Sequence, residues 1–203
     1  MKEILFATGN KAKLGQFQYM ADKFAQGVKI ISAKEKYGGE ASYEEIGNSA
    51  QEIAINGAKY LFQKLQVPII TEDSILEINS LNGKPGLKSN AFLKEFGRKG
   101  VLDLLKDKND RFARIISCVV YFDGLNLQVF ENVVEGKIAL TERFKEGEPI
   151  WIGPSFHEFG GGYNSIFMPE GEERTLAEMT AEEGITFGYR EKNFKKLLEE
   201  IEK

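Results

Sequence analysis

The order of the first elements constrains this chain more than anything else in it. Ile4-Leu5-Phe6-Ala7 is a short apolar run that breaks at Thr8-Gly9-Asn10. Leu14, Phe17, Ala21 and Phe24 then recur at helical spacing until Gly27, and Val28-Lys29-Ile30-Ile31 follows as a second short apolar run. A strand, a helix and a strand open the chain. A second helical pattern runs from about Ser49 to Leu65, with Ile53, Ala54, Ala58 and Leu61 facing inward, and Val67 to Thr71 reads as a buried strand. Glu72-Asp73-Ser74 interrupts that apolar character before Ile75-Leu76-Glu77-Ile78 resumes it, and Asn82 to Gly86 is turn-prone.

The second half changes character. A helix from about Asn90 to Leu105 leads into the β-rich run Phe112 to Phe122, and Asp123-Gly124 ahead of Leu127, Val129 and Phe130 predicts a hairpin. Val133 to Ile138 reads as a further strand, and Phe194, Leu197, Leu198 and Ile201 share one face of a closing helix. These elements predict an α/β protein, with helices early and late around a mixed sheet that is antiparallel in its second half. No internal repeat, low-complexity tract or flexible linker is present.

With 203 residues the chain fits a single domain, 1–203, with at most a modest second lobe. Lys+Arg 27 against Asp+Glu 31 leaves a net charge of −4, which argues against a broad nucleic-acid surface while allowing a local basic pocket. The single cysteine, Cys118, lies in the apolar run Ile115 to Val120 and has no intramolecular partner, so a buried thiol in a reducing compartment is expected. No apolar run is long enough to span a bilayer, and the charged start Met1-Lys2-Glu3 passes directly into a strand. The expected location is cytoplasmic, with no membrane partner.

Five segments can carry chemistry. At Thr8-Gly9-Asn10-Lys11-Ala12-Lys13 a strand end delivers backbone amides, a hydroxyl, a carboxamide and an ammonium to a helix N-terminus, an arrangement that suits an anion. The same residues read equally as an N-capped helix with solvated lysines. Glu72-Asp73-Ser74 places two adjacent carboxylates at a strand end. Neighbours on a strand point to opposite faces, and Asp73 is the better candidate to bind a hard divalent cation or to take a proton from an attacking water. A surface turn is the competing reading. Tyr43-Glu44-Glu45-Ile46-Gly47 is a second acidic cluster, suited either to a helix dipole or, beside Asp73, to magnesium. Phe159-Gly160-Gly161-Gly162-Tyr163-Asn164 admits close approach of a ligand to backbone, or is simply a flexible loop. Arg190, after Phe187-Gly188-Tyr189, can grip a phosphate or base oxygen, or cover surface. His157 is the only histidine and receives no catalytic role.

Taken together, and across nearly the whole chain, these motifs resemble the Ham1 family of inosine/xanthosine triphosphate pyrophosphatases. Thr8-Gly9-Asn10-x-x-Lys13 is similar to the family's Thr/Ser-x-Asn-x-x-Lys phosphate motif, and Glu45-Ile46-Gly47 to its Glu-Thr-Gly. Glu72-Asp73-Ser74-Ile75-Leu76 resembles Asp-Asp-Ser-Gly-Leu, and Gly83-Lys84-Pro85-Gly86-x-x-Ser89 resembles Gly-x-Pro-Gly-x-x-Ser. Gly162-Tyr163 with Ile166-Phe167 resembles Phe-Gly-Tyr-Asp-Pro-Ile-Phe, and Thr175-x-Ala177-Glu178 with Arg190 resembles the closing Ala-Glu and Ser-His-Arg elements.

The resemblance implies an elongated mixed sheet flanked by helices, two lobes around a central cleft, and a homodimer. It implies Mg2+-dependent hydrolysis of deaminated purine triphosphates (ITP, dITP, XTP) to monophosphate and diphosphate, a house-cleaning of the nucleotide pool. By position it implies that Thr8, Gly9, Asn10 and Lys13 hold the phosphates, with Lys13 assisting catalysis. Glu45 and Asp73 serve the metal, and Asp73 activates water. Ser74, Gly161, Gly162, Tyr163, Asn164, Tyr189 and Arg190 line the substrate.

The chain departs from the family at Gly161 (Phe in the family), Asn164 (Asp), Ser165 (Pro), Gly184 (Lys), Tyr189 (His), Gly57 (Lys) and Ala91 (Arg). By the resemblance, most of the departures fall where the family contacts the base, whose stacking on a ring is worth about 1–3 kcal/mol. Phe159 and Phe187 are the nearest replacement rings. Two alternatives accompany the leading reading: a nucleotide-binding protein on the same fold with impaired catalysis, and a pyrophosphatase for another modified triphosphate.

Overall fold

The computed structural model describes residues 2–153 and 161–201. Strands β1 (Lys2–Phe6), β2 (Val28–Ser32), β3 (Ile69–Ile78), β4 (Pro85–Gly86), β5 (Phe112–Phe122), β6 (Leu127–Ile138) and β7 (Phe167–Pro169) form one mixed sheet. Its order is β2-β1-β3-β5-β6-β7, with β4 on β3. Among the described residues six α-helices accompany it: α1 (Lys11–Phe24), α2 (Ala33–Tyr37), α3 (Ala50–Leu65), α4 (Ser89–Leu104), α5 (Ala181–Phe187) and α6 (Glu191–Ile201). β1 is parallel to β2 and β3, whereas β4 on β3 and β7 on β6 are antiparallel. The expected α/β class and the change of sheet character along the chain both hold.

The chain divides into two compact units. The first comprises Met1–Asp73, Ser117–Asn132 and Arg190–Lys203. Its core joins the elements that carry the basic residues: Phe17 of α1 stacks on Phe194 of α6 at 4.2 Å, and Phe6 of β1 meets both rings edge-on at 5.6 and 6.0 Å. Such pairs add about 0.5–1.5 kcal/mol each beyond burial. On α3, Ile53, Ala54, Ala58 and Leu61 are all buried, as their spacing predicts. On α1 the buried face is Ala12, Gln16, Phe17, Met20 and Ala21, while Leu14 and Phe24 are half-buried. Gln16 is interior because its amide donates to the buried Glu191 carboxylate.

The second unit comprises Ser74–Ile116 and Val133–Tyr189. Its core gathers Leu76 and Ile78 of β3, Leu93 and Val101 of α4, Ile115 of β5 and Ile138 of β6 with Tyr163, Ile166, Phe167 and Tyr189. Arg111 fastens it by donating to the carbonyls of Leu105, Ile138 and Ala139.

Three local readings change. Glu72-Asp73-Ser74 lies inside β3, which runs unbroken from Ile69 to Ile78 because strand continuity depends on the backbone ladder and the polar side chains find partners. Val133 to Ile138 is the second half of β6, which begins at Leu127. The helix at Ser89–Leu104 is broken at Gly97, whose φ of 63° leaves the helical region.

Candidate functional site

The Thr8-Gly9-Asn10 turn follows β1 directly and is held from three sides. The Ala7 amide donates to the Ile70 carbonyl of β3 (2.7 Å). Ser32 Oγ donates to the Thr8 carbonyl (2.7 Å) while accepting the Glu35 amide at the start of α2. Thr8 Oγ1 accepts the Asn10 amide (3.0 Å). Asn10 Oδ1 then caps α1, accepting from Ala12 N at 2.9 Å and Lys13 N at 3.3 Å. The two readings of this turn are therefore compatible: the carboxamide oxygen is the helix cap, and its NH2 remains on an exposed face. The Gly9 and Lys11 amides take no acceptor among the described residues, so the turn presents donors outward.

One turn into α1, Lys13 reaches the strand next door. Its Nζ lies 2.6 Å from Glu72 Oε2, and Arg190 Nε donates to Glu72 Oε1 at 2.9 Å. Ser117 Oγ of β5 donates to the same Oε1 at 3.2 Å. The Glu72 side chain is fully enclosed. Burial alone would raise its pKa, but Arg190 and then Lys13 outweigh it and hold the carboxyl at about 2. The sequence reading assigned roles to Lys13 and Arg190 and none to Glu72, the group that brings them together. Thr71 is buried and donates to Ala54 O of α3, so Glu72 takes the opposite face, but the β-period alone does not say which face meets the two cations.

Asp73 returns to the Thr71 face and is half-buried. Burial raises the pKa of the Tyr43 hydroxyl strongly, and the charges of Asp73, Glu45 and Glu72 raise it further. Glu45 is exposed, and its loop is fixed beside it. Asn56 of α3 donates to the Ile46 carbonyl, and a Cβ on Gly47 would lie 2.8 Å from the Ile53 amide, so only glycine lets the loop lie on the helix start. At Gly57, where the resemblance expects lysine, the Tyr43 ring fills the space at 2.3 Å from a Cβ position.

In the second unit, Tyr163 is buried and its phenol donates to the Ser89 carbonyl at 2.7 Å. Asn164 Nδ2 donates to the Trp151 and Ile152 carbonyls. Gly161 and Gly162 adopt φ of 68° and 53°. A Cβ on Gly161 would meet the Ile152 carbonyl oxygen at 2.6 Å, so backbone fills the start of the path that a phenylalanine would take. Tyr189 is buried, Ser74 and Gly184 are half-buried, Ala91 is exposed, and Phe187 packs on the core. Phe159, Gly160 and His157 lie outside the described residues. Sequence reasoning missed Arg98, whose Nε donates to the Gly162 carbonyl at 2.6 Å and whose guanidinium pairs with Glu142 at 3.6 Å. Thr175 and Glu178, matched above as a motif, form a capping box on a short 3-10 turn.

Cys118 is buried and forms no disulfide, and burial, then the charges of Glu131, Glu72 and Asp73, push its thiol up to about 12, which disfavours the thiolate. No helix among the described residues is long and apolar enough to cross a membrane.

Fold and clusters define an α/β protein that sets a basic strand-to-helix turn against internal carboxylates. A model of the Ham1 family matches residues 4–200, and the chain belongs to that family. A dITP/XTP pyrophosphatase of Methanopyrus kandleri is 33% identical over 199 residues, covering 97% of this chain and 95% of the relative. One from Thermococcus kodakarensis is 35% identical over 188 residues, covering 92% and 90%. A solved structure of a HAM1 protein from Coxiella burnetii superposes with a TM-score of 0.78 at 26% identity, covering 99% of this chain and 98% of that one.

Proposed function

We propose that this chain, as a single catalytic domain spanning 1–203, hydrolyses non-canonical purine nucleoside triphosphates to monophosphate and diphosphate. Family membership and the names of its relatives support a nucleoside triphosphate pyrophosphatase, dITP, ITP and XTP being the substrates to expect. The observation that carries the reading is the Lys13–Glu72–Arg190 cluster, set at the side of the Thr8-Gly9-Asn10 turn with Asp73 one residue on. Glu72 is spent on two cations, which leaves Asp73 as the carboxylate of the pair suited to chemistry.

The residues present suit a hard divalent cation. The charges of Asp73 and Glu45 both act on the Tyr43 hydroxyl, and both residues offer only oxygen donors. The described residues contain no group of three or more His, Cys, Asp or Glu able to hold a metal by protein alone. Mg2+ is commonly bound through one or two carboxylates plus substrate phosphates. Asp73 and Glu45 would hold it, and when bound it would neutralise charge on the phosphates.

The Gly9 and Lys11 amides, the Asn10 amide group and the Thr8 turn grip the tail. Asp73 takes a proton from water as the water oxygen bonds to the α-phosphorus. The bond from that phosphorus to the bridging oxygen breaks, and diphosphate leaves beside Lys13 and Arg190. By family position, Ser74, Tyr163, Asn164 and Tyr189 line the nucleoside. A homodimer, a cytoplasmic location and a role in cleaning the nucleotide pool complete the reading.

A specific observation favours a second substrate class. With Gly161 where the family carries phenylalanine, and backbone filling that path, base selection differs from the family pattern, and another modified triphosphate becomes a competing substrate. Diphosphate release from ITP, dITP, XTP, modified pyrimidine triphosphates and the four ordinary triphosphates, with Mg2+, tests both. Cleavage of none above the level of Asp73→Asn would reject the activity.

A further inference from the structure

Lys34, at the start of α2, runs along the outer side of the Thr8-Gly9-Asn10 turn. A Cβ built on Gly9 would meet Lys34 Cδ at 2.9 Å and Nζ at 3.4 Å. The approach is enforced from below: β1 and β2 are in register at Phe6 and Ser32, and Ser32 Oγ ties the Thr8 carbonyl to the first turn of α2. Lys34 is exposed and makes no ion pair among the described residues. Lys36, on the same helix, is instead turned to Glu3 at 3.4 Å.

The charge at the turn explains why such a lysine matters. Lys13 and Arg190 share the buried Glu72 carboxylate, so the three together carry one net positive charge. A triphosphate tail carries several negative charges and rewards every further ammonium within reach. Lys34 adds a further positive charge at the turn. Glycine at position 9 then has a second use besides backbone approach, because any side chain there would displace the Lys34 stem.

We propose that Lys34 is a further binding residue for the polyphosphate tail, reaching over Gly9 to the phosphates held by the turn. The proposal rests on the function above, and inorganic tripolyphosphate separates the two because its binding can be read without turnover. In calorimetric titrations of the full chain with tripolyphosphate, Lys34→Ala is expected to bind about 5- to 10-fold more weakly, the size of one lost charge-assisted contact at an exposed site. Lys34→Arg keeps the charge and is expected to stay within about threefold of wild type. Lys36→Ala, which changes the general field equally, is expected to bind as wild type. With a cleaved triphosphate, Lys34→Ala raises KM by the same factor and leaves kcat in place.

Unchanged tripolyphosphate binding by Lys34→Ala overturns the proposal, and so does equal weakening by Lys36→Ala. Wild-type protein that binds tripolyphosphate through Lys34 but cleaves no nucleotide upholds the proposal while rejecting the activity.

Discussion

Glu72 and Arg190 stand 118 positions apart in sequence and meet at 2.9 Å, with Lys13 on the other oxygen of the same enclosed carboxylate. The pairing draws the interior of β3, the first helix and the residue ahead of the last helix onto one group. Removing one partner of a buried pair leaves an uncompensated charge and costs about 3–5 kcal/mol. Glu72→Ala strands two cations and is expected to lose stability at that level in urea unfolding. Arg190→Ala leaves Lys13 to balance Glu72 and is expected to lose less. Equal losses would show that Lys13 contributes nothing to the balance.

Acid should act on the same group. The folded carboxyl of Glu72 is held at about 2 against an ordinary 4.5. Its contribution is thus fully present above the unfolded value and is lost as pH falls from about 4.5 toward 2. Glu191 works the other way. Burial raises its pKa, outweighing the Gln16 amide and the Arg190 charge, so its contribution is present below the ordinary value and is lost as pH rises through the folded one. Glu191→Gln keeps an acceptor for Gln16 and is expected to be more stable than wild type at neutral pH, the difference vanishing in acid. A constant difference from pH 3 to 8 would contradict this.

Much of this frame is legible in the chain. The inward face of α3, the Asp123-Gly124 hairpin, the closing helix and the basic turn after β1 all follow from periodicity and turn chemistry, which are local. Helix α2 is not legible because five residues carry no period. Helix α5 had a readable start, the Thr180-x-x-Glu183 capping box, and was missed because its seven residues have no buried face. The role of Glu72 is of another kind. Two adjacent carboxylates on a strand must part to opposite faces, but which face meets Lys13 and Arg190 depends on the packing of α1 and α6, which only the shared Phe6, Phe17 and Phe194 core fixes. Lys34 is hidden for the same reason, since the β1–β2 register brings it to Gly9.

Restoring the family's ring should fail. Gly161→Phe puts a side chain on a φ of 68°, with its Cβ 2.6 Å from a backbone oxygen. Left-handed strain alone costs about 1–3 kcal/mol. The variant is expected to unfold at lower urea and to gain no preference for purine triphosphates over pyrimidine ones. A stable variant with sharpened purine preference would mean that the Ile152 backbone yields readily and that the base site follows the family pattern after all.

Gly9→Ala offers the most discriminating substitution. The backbone at position 9 is not left-handed, and the atoms a methyl would strike belong to the flexible Lys34 side chain, so the fold is expected to lose less than about 1 kcal/mol. Function should suffer more than stability, because the methyl pushes the Lys34 stem off the turn. If displacement of Lys34 is the whole effect, Gly9→Ala and Lys34→Ala each raise KM, and the double variant raises it no further. Full additivity in that cycle would instead show that the methyl obstructs the phosphates directly and that the two residues act independently.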